Sequence, residues 1–97
     1  MQILGIEKIG DTLYGCLDDG ICYQLFSIEP GCPVELEQKY PKSDYNDYDS
    51  FTLYYSSVEP GILFLEEPFD IGAAQPEDLS YESFLNIWNT IWCSDSN

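Results

Sequence analysis

The sequence predicts an α+β fold: a curved antiparallel β-sheet of about five strands, with a C-terminal amphipathic helix packed on one face. Three observations lead there. Short apolar runs in the first third are separated by Gly-Asp and Asp-Gly turn pairs, two Glu-Pro-Gly signals follow, and an apolar stripe at helical spacing lies near the end of the chain. The 97 residues suit a single domain, 1–97. Hydrophobic residues make up 44% and aromatics 15%, a share that a disordered acidic tail would not carry.

Residues 1–34 read as a β-meander, with strands over Ile3–Ile9, Thr12–Leu17 and Ile21–Ile28. Gly10-Asp11 forms the first turn and Asp18-Asp19-Gly20 the second. A two-residue Asp19-Gly20 loop would pair Leu17 with Cys22 and put Gln24 on the same face as Leu13 and Leu17. A three-residue loop with Gly20 left-handed pairs Leu17 with Ile21, so that Leu13, Leu17, Ile21, Tyr23 and Leu25 share a face. The second register is the more self-consistent, and it sets Cys16 opposite Cys22.

Ser27-Ile28-Glu29-Pro30-Gly31 is echoed by Ser57-Val58-Glu59-Pro60-Gly61, each an apolar run entering type II turn chemistry. Two copies do not make a repeat protein. Residues 35–50 read as an acidic, Tyr-rich loop, and residues 51–67 as a β-hairpin of Phe51–Val58 and Ile62–Glu66 joined through Pro60-Gly61. The helix is expected over residues 80–93. Ser80 is its N-cap, Leu79 staples onto Phe84, and Tyr81, Phe84, Leu85, Trp88, Ile91 and Trp92 form one stripe, read as core.

Charge is the unusual feature. Eighteen Asp and Glu face three Lys, with no Arg and no His, for a net −15. Direct nucleic-acid binding needs cations on the phosphates, and attraction to an anionic membrane needs them too, so neither is expected. The opening Met1-Gln2-Ile3-Leu4-Gly5 has no basic flank or apolar run of a signal peptide, and no stretch is long enough to span a bilayer. A soluble cytoplasmic protein follows as the expectation, with no sequence signal for its oligomeric state.

Catalysis is not expected. Without His there is no Ser-His or Cys-His arrangement, without Arg no bidentate phosphate clamp, and no phosphate-cradling Gly-rich loop is present. Glu66-Glu67 would point to opposite faces of a strand, which is unsuited to a glycosidase pair. No metal or other cofactor is expected either. Cys16, Cys22, Cys32 and Cys93 lack close CxxC spacing and ferredoxin spacing. The segment Asp44–Asp49 fails the EF-hand pattern at its Gly and at its bidentate Glu.

The charge is also lopsided. Residues 1–42 hold seven acids and three Lys, a net −4, whereas residues 43–97 hold eleven acids and no base, a net −11. Such a surface suits a basic partner, steering association while aromatics anchor the contact. The candidate partner-binding residues are Tyr40, Asp44, Tyr45, Asp47, Tyr48, Asp49, Glu59, Glu66, Glu67 and Asp70. The function expected is an acidic inhibitor of a nuclease or other nucleic-acid-binding protein, foremost an immunity protein against a nuclease toxin. A phage-encoded nucleic-acid mimic directed at a host defence complex is the second version. A non-enzymatic adaptor whose acids confer only solubility is the competing class.

Overall fold

A computed structural model describes residues 1–58, 62–72 and 75–93 of the chain. Five strands, β1 (Gln2–Ile9), β2 (Thr12–Asp18), β3 (Cys22–Ile28), β4 (Glu35–Pro41) and β5 (Phe64–Asp70), form one sheet in the order β4-β3-β2-β1-β5. Every neighbouring pair is antiparallel. The described residues also include two α-helices, α1 (Tyr48–Val58) and α2 (Tyr81–Cys93). The α+β class and the C-terminal helix are as the sequence predicts.

Both faces of the sheet are covered, and the central strands explain why. Ile3-Leu4, Cys16-Leu17 and Tyr23-Gln24-Leu25-Phe26 are buried at consecutive positions, so apolar side chains leave the sheet on both sides. Ile3, Ile6, Leu13, Leu17, Phe26 and Ile28 pack with Phe84 of α2. Leu4, Cys16, Tyr23 and Leu25 pack with Phe51 and Tyr55 of α1. In β1, Ile3 pairs with Leu17 and Gly5 with Cys16, leaving Leu4 as the extra residue of a bulge. That bulge sends Ile3 and Ile6 to one side and Leu4 to the other.

The stretch 35–50, expected as a loop, instead supplies edge strand β4, a 3₁₀ turn at Lys42–Asp44 and the start of α1. In β4, Leu36 packs on the α2 side and Tyr40 on the α1 side, because the register shift that leaves Glu37 unpaired switches the face between them, so no simple alternation marks the strand. The hairpin expected over 51–67 is likewise replaced. Phe51–Val58 is helical, and the strand that pairs with β1 begins at Phe64, with the Leu63 carbonyl accepting the Ile6 N–H just before it. Aromatic and hydroxyl residues favour strands in isolation, but tertiary packing overrides that preference. Tyr48, Phe51 and Tyr55 fall at i, i+3 and i+7, and together they roof the second face of the sheet. Asp47 starts the helix: its side-chain Oδ1 accepts the Ser50 N–H at 2.8 Å and its carbonyl accepts the Phe51 N–H at 3.2 Å. The hydroxyls of Thr52 and Ser57 turn back onto the carbonyls of Tyr48 and Leu53, at 2.8 and 3.0 Å. The second Glu-Pro-Gly turn lies outside the described residues.

The β2–β3 turn adopts neither register considered from sequence. Leu17 pairs with Gln24 and Asp18 with Tyr23, around a loop in which Gly20 has φ of 97°. Gln24 therefore shares the face of Leu13 and Leu17, and Ile21 projects outward at 76% exposure. Cys16 sits opposite Leu25, not Cys22. Asp19 accounts for the shift. Its Oδ1 accepts the N–H groups of Ile21 and Cys22 at 2.8 and 2.7 Å, and its Oδ2 accepts from the buried Gln24 amide.

Helix α2 begins as expected. Ser80 Oγ accepts the Ser83 N–H at 3.2 Å, and Leu79 packs into the same cluster as Phe84. Phe84 stacks on Phe26 at 4.4 Å, and the Trp92 indole donates to the Ile6 carbonyl at 3.1 Å. Beneath Phe26 the sheet is hollowed by Gly15, where a Cβ would lie 2.4 Å from the ring and 2.7 Å from the Gly5 carbonyl. Gly15→Ala should therefore destabilise the fold by about 1–3 kcal/mol through overpacking. A lowered urea midpoint at unchanged slope checks this.

Candidate partner-binding face

The expected site residues divide into two groups. Tyr40, Tyr45 and Tyr48 are all half-buried and turned toward the sheet. Tyr45 meets Phe51 edge-on at 5.1 Å and Tyr23 at 5.9 Å, while Tyr40 lies 5.6 Å from Phe51. The Tyr48 hydroxyl reaches the carbonyls of Leu4 and Leu65. Burial, more than any neighbouring charge, raises the pKa of both Tyr45 and Tyr48. These rings are anchors of the fold.

The acids are the second group. Asp44, Asp47 and Asp49 are exposed and run from the 3₁₀ turn into the first turn of α1. A negative charge there is stabilised by the partial positive charge of the helix N-terminus. In β5, Phe64 packs on the α1 side, whereas Leu65 and Phe69 pack on the α2 side. Strand alternation then assigns Glu66 and Asp70 to the α1 face and Glu67 to the opposite one. The structure thus gathers Asp44, Asp47, Asp49, Glu66 and Asp70 on one side of the sheet and separates Glu67 from them. Glu59 lies outside the described residues.

One end of that face carries a cross-strand row. Asp70, Gln2 and Asp18 are directly paired across β5, β1 and β2. With Asp19 and Lys42 they line a shallow depression of about 310 Å³. Lys42 Nζ binds Asp18 Oδ2 at 2.9 Å and lies 5.6 Å from the Tyr23 ring centroid. The hydrogen bond to Asp18 raises the Lys42 pKa, so this lysine remains a cation held by the fold. Asp70 and Asp19 stay exposed at the rim. A larger depression of about 550 Å³ lies against α2, lined by Pro30, Gly31 and Cys32 on one side and Ser80, Tyr81, Glu82 and Leu85 on the other. Among these described lining residues Glu82 supplies the one carboxylate.

Sequence reasoning missed Asp18 and Asp19, which look like turn residues and also line the acidic depression. It also missed the exposed apolar residues of α1, Leu53, Tyr54 and Val58, which are 72%, 43% and 59% exposed. The i, i+3, i+7 spacing of Tyr48, Phe51 and Tyr55 is the signal that would have found the helix and turned Leu53 outward. No described helix is long and apolar enough to cross a membrane. No protein-family model, curated protein or solved structure matches this chain.

Asp19 makes the turn sensitive to pH. Burial acts to raise its pKa, but the Cys22 and Ile21 N–H groups and the Gln24 amide outweigh it and hold the carboxyl below its ordinary 3.8. A depressed folded pKa contributes stability above the unfolded value, and that contribution is lost as pH falls through the folded value. Thermal midpoints measured from about pH 5 down to about pH 2 should fall, and Asp19→Asn should flatten the lower part of that profile.

Proposed function

We propose that this protein is a non-catalytic acidic inhibitor that binds and blocks the basic site of a nucleic-acid-acting protein, foremost an immunity protein neutralising a nuclease toxin. One observation carries the reading: residues 43–97 hold eleven acids and no base, and every described acid among them is exposed. A net charge of magnitude about 2–8 serves solubility in a small domain, and this chain carries −15. Self-repulsion on that scale opposes the compact state, so a compensating use is expected.

Basic clefts are found chiefly on proteins that handle nucleic acid, and an electronegative face accelerates encounter with them. Exposed apolar side chains beside the acids favour one particular surface over a generic phosphate track. The nucleic-acid-mimic version draws support from a different observation. Glu67, Glu77, Asp78 and Glu82 are exposed on β5 and near the start of α2, so the acids are not confined to the α1 face.

A low-salt pull-down from the source organism, followed by competition with DNA and RNA, tests the reading. A basic nuclease displaced by nucleic acid supports it. The association rate should fall about tenfold or more between low and high salt, and a salt-independent rate would favour an adaptor. For the protein alone, moderate salt should raise the thermal midpoint by relieving self-repulsion. An unchanged midpoint in a melting series with added salt would count against clustered acids.

A further inference from the structure

We infer that the exposed flank of α1, from Leu53 around to Val58, is the docking surface. Leu53, Tyr54 and Val58 there serve as apolar anchors for a partner contact in which an apolar strip is bordered by Lys or Arg. This rests on the inhibitor reading and adds where, and by which chemistry, the partner is held. Tyr54 and Val58 are one turn apart on an exposed flank of the helix, Leu53 adjoins Tyr54 on the side away from the sheet, and Val58 extends the Tyr48, Phe51 and Tyr55 stripe beyond its buried part. Leu53 and Val58 are 72% and 59% exposed. Tyr54 stands over Tyr45 at 5.4 Å and Tyr40 at 6.2 Å, so aromatic packing holds its ring in place before any partner arrives.

Charge complementarity selects the occupant. Asp49 precedes Leu53 by one helical turn on the same ridge, and Asp44 and Asp47 flank the start of the helix. No base occurs from residue 43 onward, and the nearest lysine in sequence, Lys42, is bound to Asp18. A second copy would bring −15 against −15 and is disfavoured, whereas a cationic rim meets Asp44, Asp47 and Asp49 directly. These anchors beside carboxylates that have no salt bridge among the described residues match an amphipathic basic surface, in which burial of Leu53, Tyr54 and Val58 supplies affinity and the acids supply orientation.

Two peptides probe the surface on the full chain: hexalysine, which reads charge alone, and an amphipathic Leu/Lys helix, which reads charge and apolar contact. The double variant Leu53→Ser/Val58→Ser alters only exposed side chains, and an unchanged far-ultraviolet spectrum and thermal midpoint verify its fold. The expected result is that this variant weakens the Leu/Lys peptide about tenfold while leaving hexalysine unchanged. Asp44→Asn/Asp49→Asn should weaken both peptides, and amide shifts should concentrate over residues 44–58. Unchanged Leu/Lys affinity in the Leu53→Ser/Val58→Ser variant would overturn the inference. So would amide shifts centred on α2, or a salt-induced dimer that the double variant dissolves.

The two readings fail separately. A nucleic-acid-displaceable partner that binds the Leu53→Ser/Val58→Ser variant normally removes this docking surface and leaves the inhibitor reading. A cationic partner weakened about tenfold by the double variant, yet indifferent to nucleic acid, supports the surface and removes the inhibitor reading.

Discussion

Phe51 stacks on Tyr23 with ring centroids 4.2 Å apart and planes 22° from parallel, and much else depends on that contact. Tyr45, Tyr40, Tyr55 and Phe64 all meet the Phe51 ring as well. Removing it would leave α1 with Tyr55 as its only buried residue. The three central strands would then expose Leu4, Cys16 and Leu25 to water. The position of α1 in turn decides where Asp47 and Asp49 point and which of its apolar residues stay outside. The electronegative face is therefore largely a product of the aromatic cluster, since among the described residues only Asp18 has a salt-bridge partner, Lys42.

The few cations are placed with economy. Lys42 neutralises Asp18 and lies over Tyr23, and Lys8 lies 5.9 Å from the Trp88 ring centroid. Both gain from an aromatic face as well as from nearby oxygen atoms. The acids also serve the sheet. Edge strand β4 carries Glu35 and Glu37, and edge strand β5 carries Glu66, Glu67 and Asp70 together with Pro68. Charge and proline on edge strands discourage pairing with another chain. Part of the surplus charge thus guards the edges, and the acids around α1 are the part this role does not explain.

The legibility of the sequence followed local signal strength. Helix α2 was readable because Ser80 caps it and its stripe is long, regular and apolar. The three-stranded meander was readable from its turn pairs. The β2–β3 register was not, because it depends on Asp19 binding two backbone N–H groups and a buried amide, and only the folded turn brings these together. Helix α1 was hidden because Phe, Thr, Tyr and Val are strand formers in isolation. Its stripe of Tyr48, Phe51 and Tyr55 competes with an equally good alternation. The clue that would have resolved it lay elsewhere, in consecutive apolar residues of β1, β2 and β3 that require a cover on each side. For the candidate site, the acids were legible as composition. The inward turn of Tyr45 and Tyr48 was not, since an amphipathic ring gives no sequence sign of which end faces water.

Strand β1 lies between β2 and β5, so its two neighbours come from opposite parts of the chain. One is the adjoining hairpin, and the other arrives only with Phe64–Asp70. Trp92 then closes on the Ile6 carbonyl from still further along the chain. Such distant pairings carry a loop-closure cost before they are rewarded, which slows folding relative to a local meander. During synthesis, β1 would wait with one edge open until Phe64–Asp70 had emerged. In that interval the acidic residues already made would be its main protection against self-association.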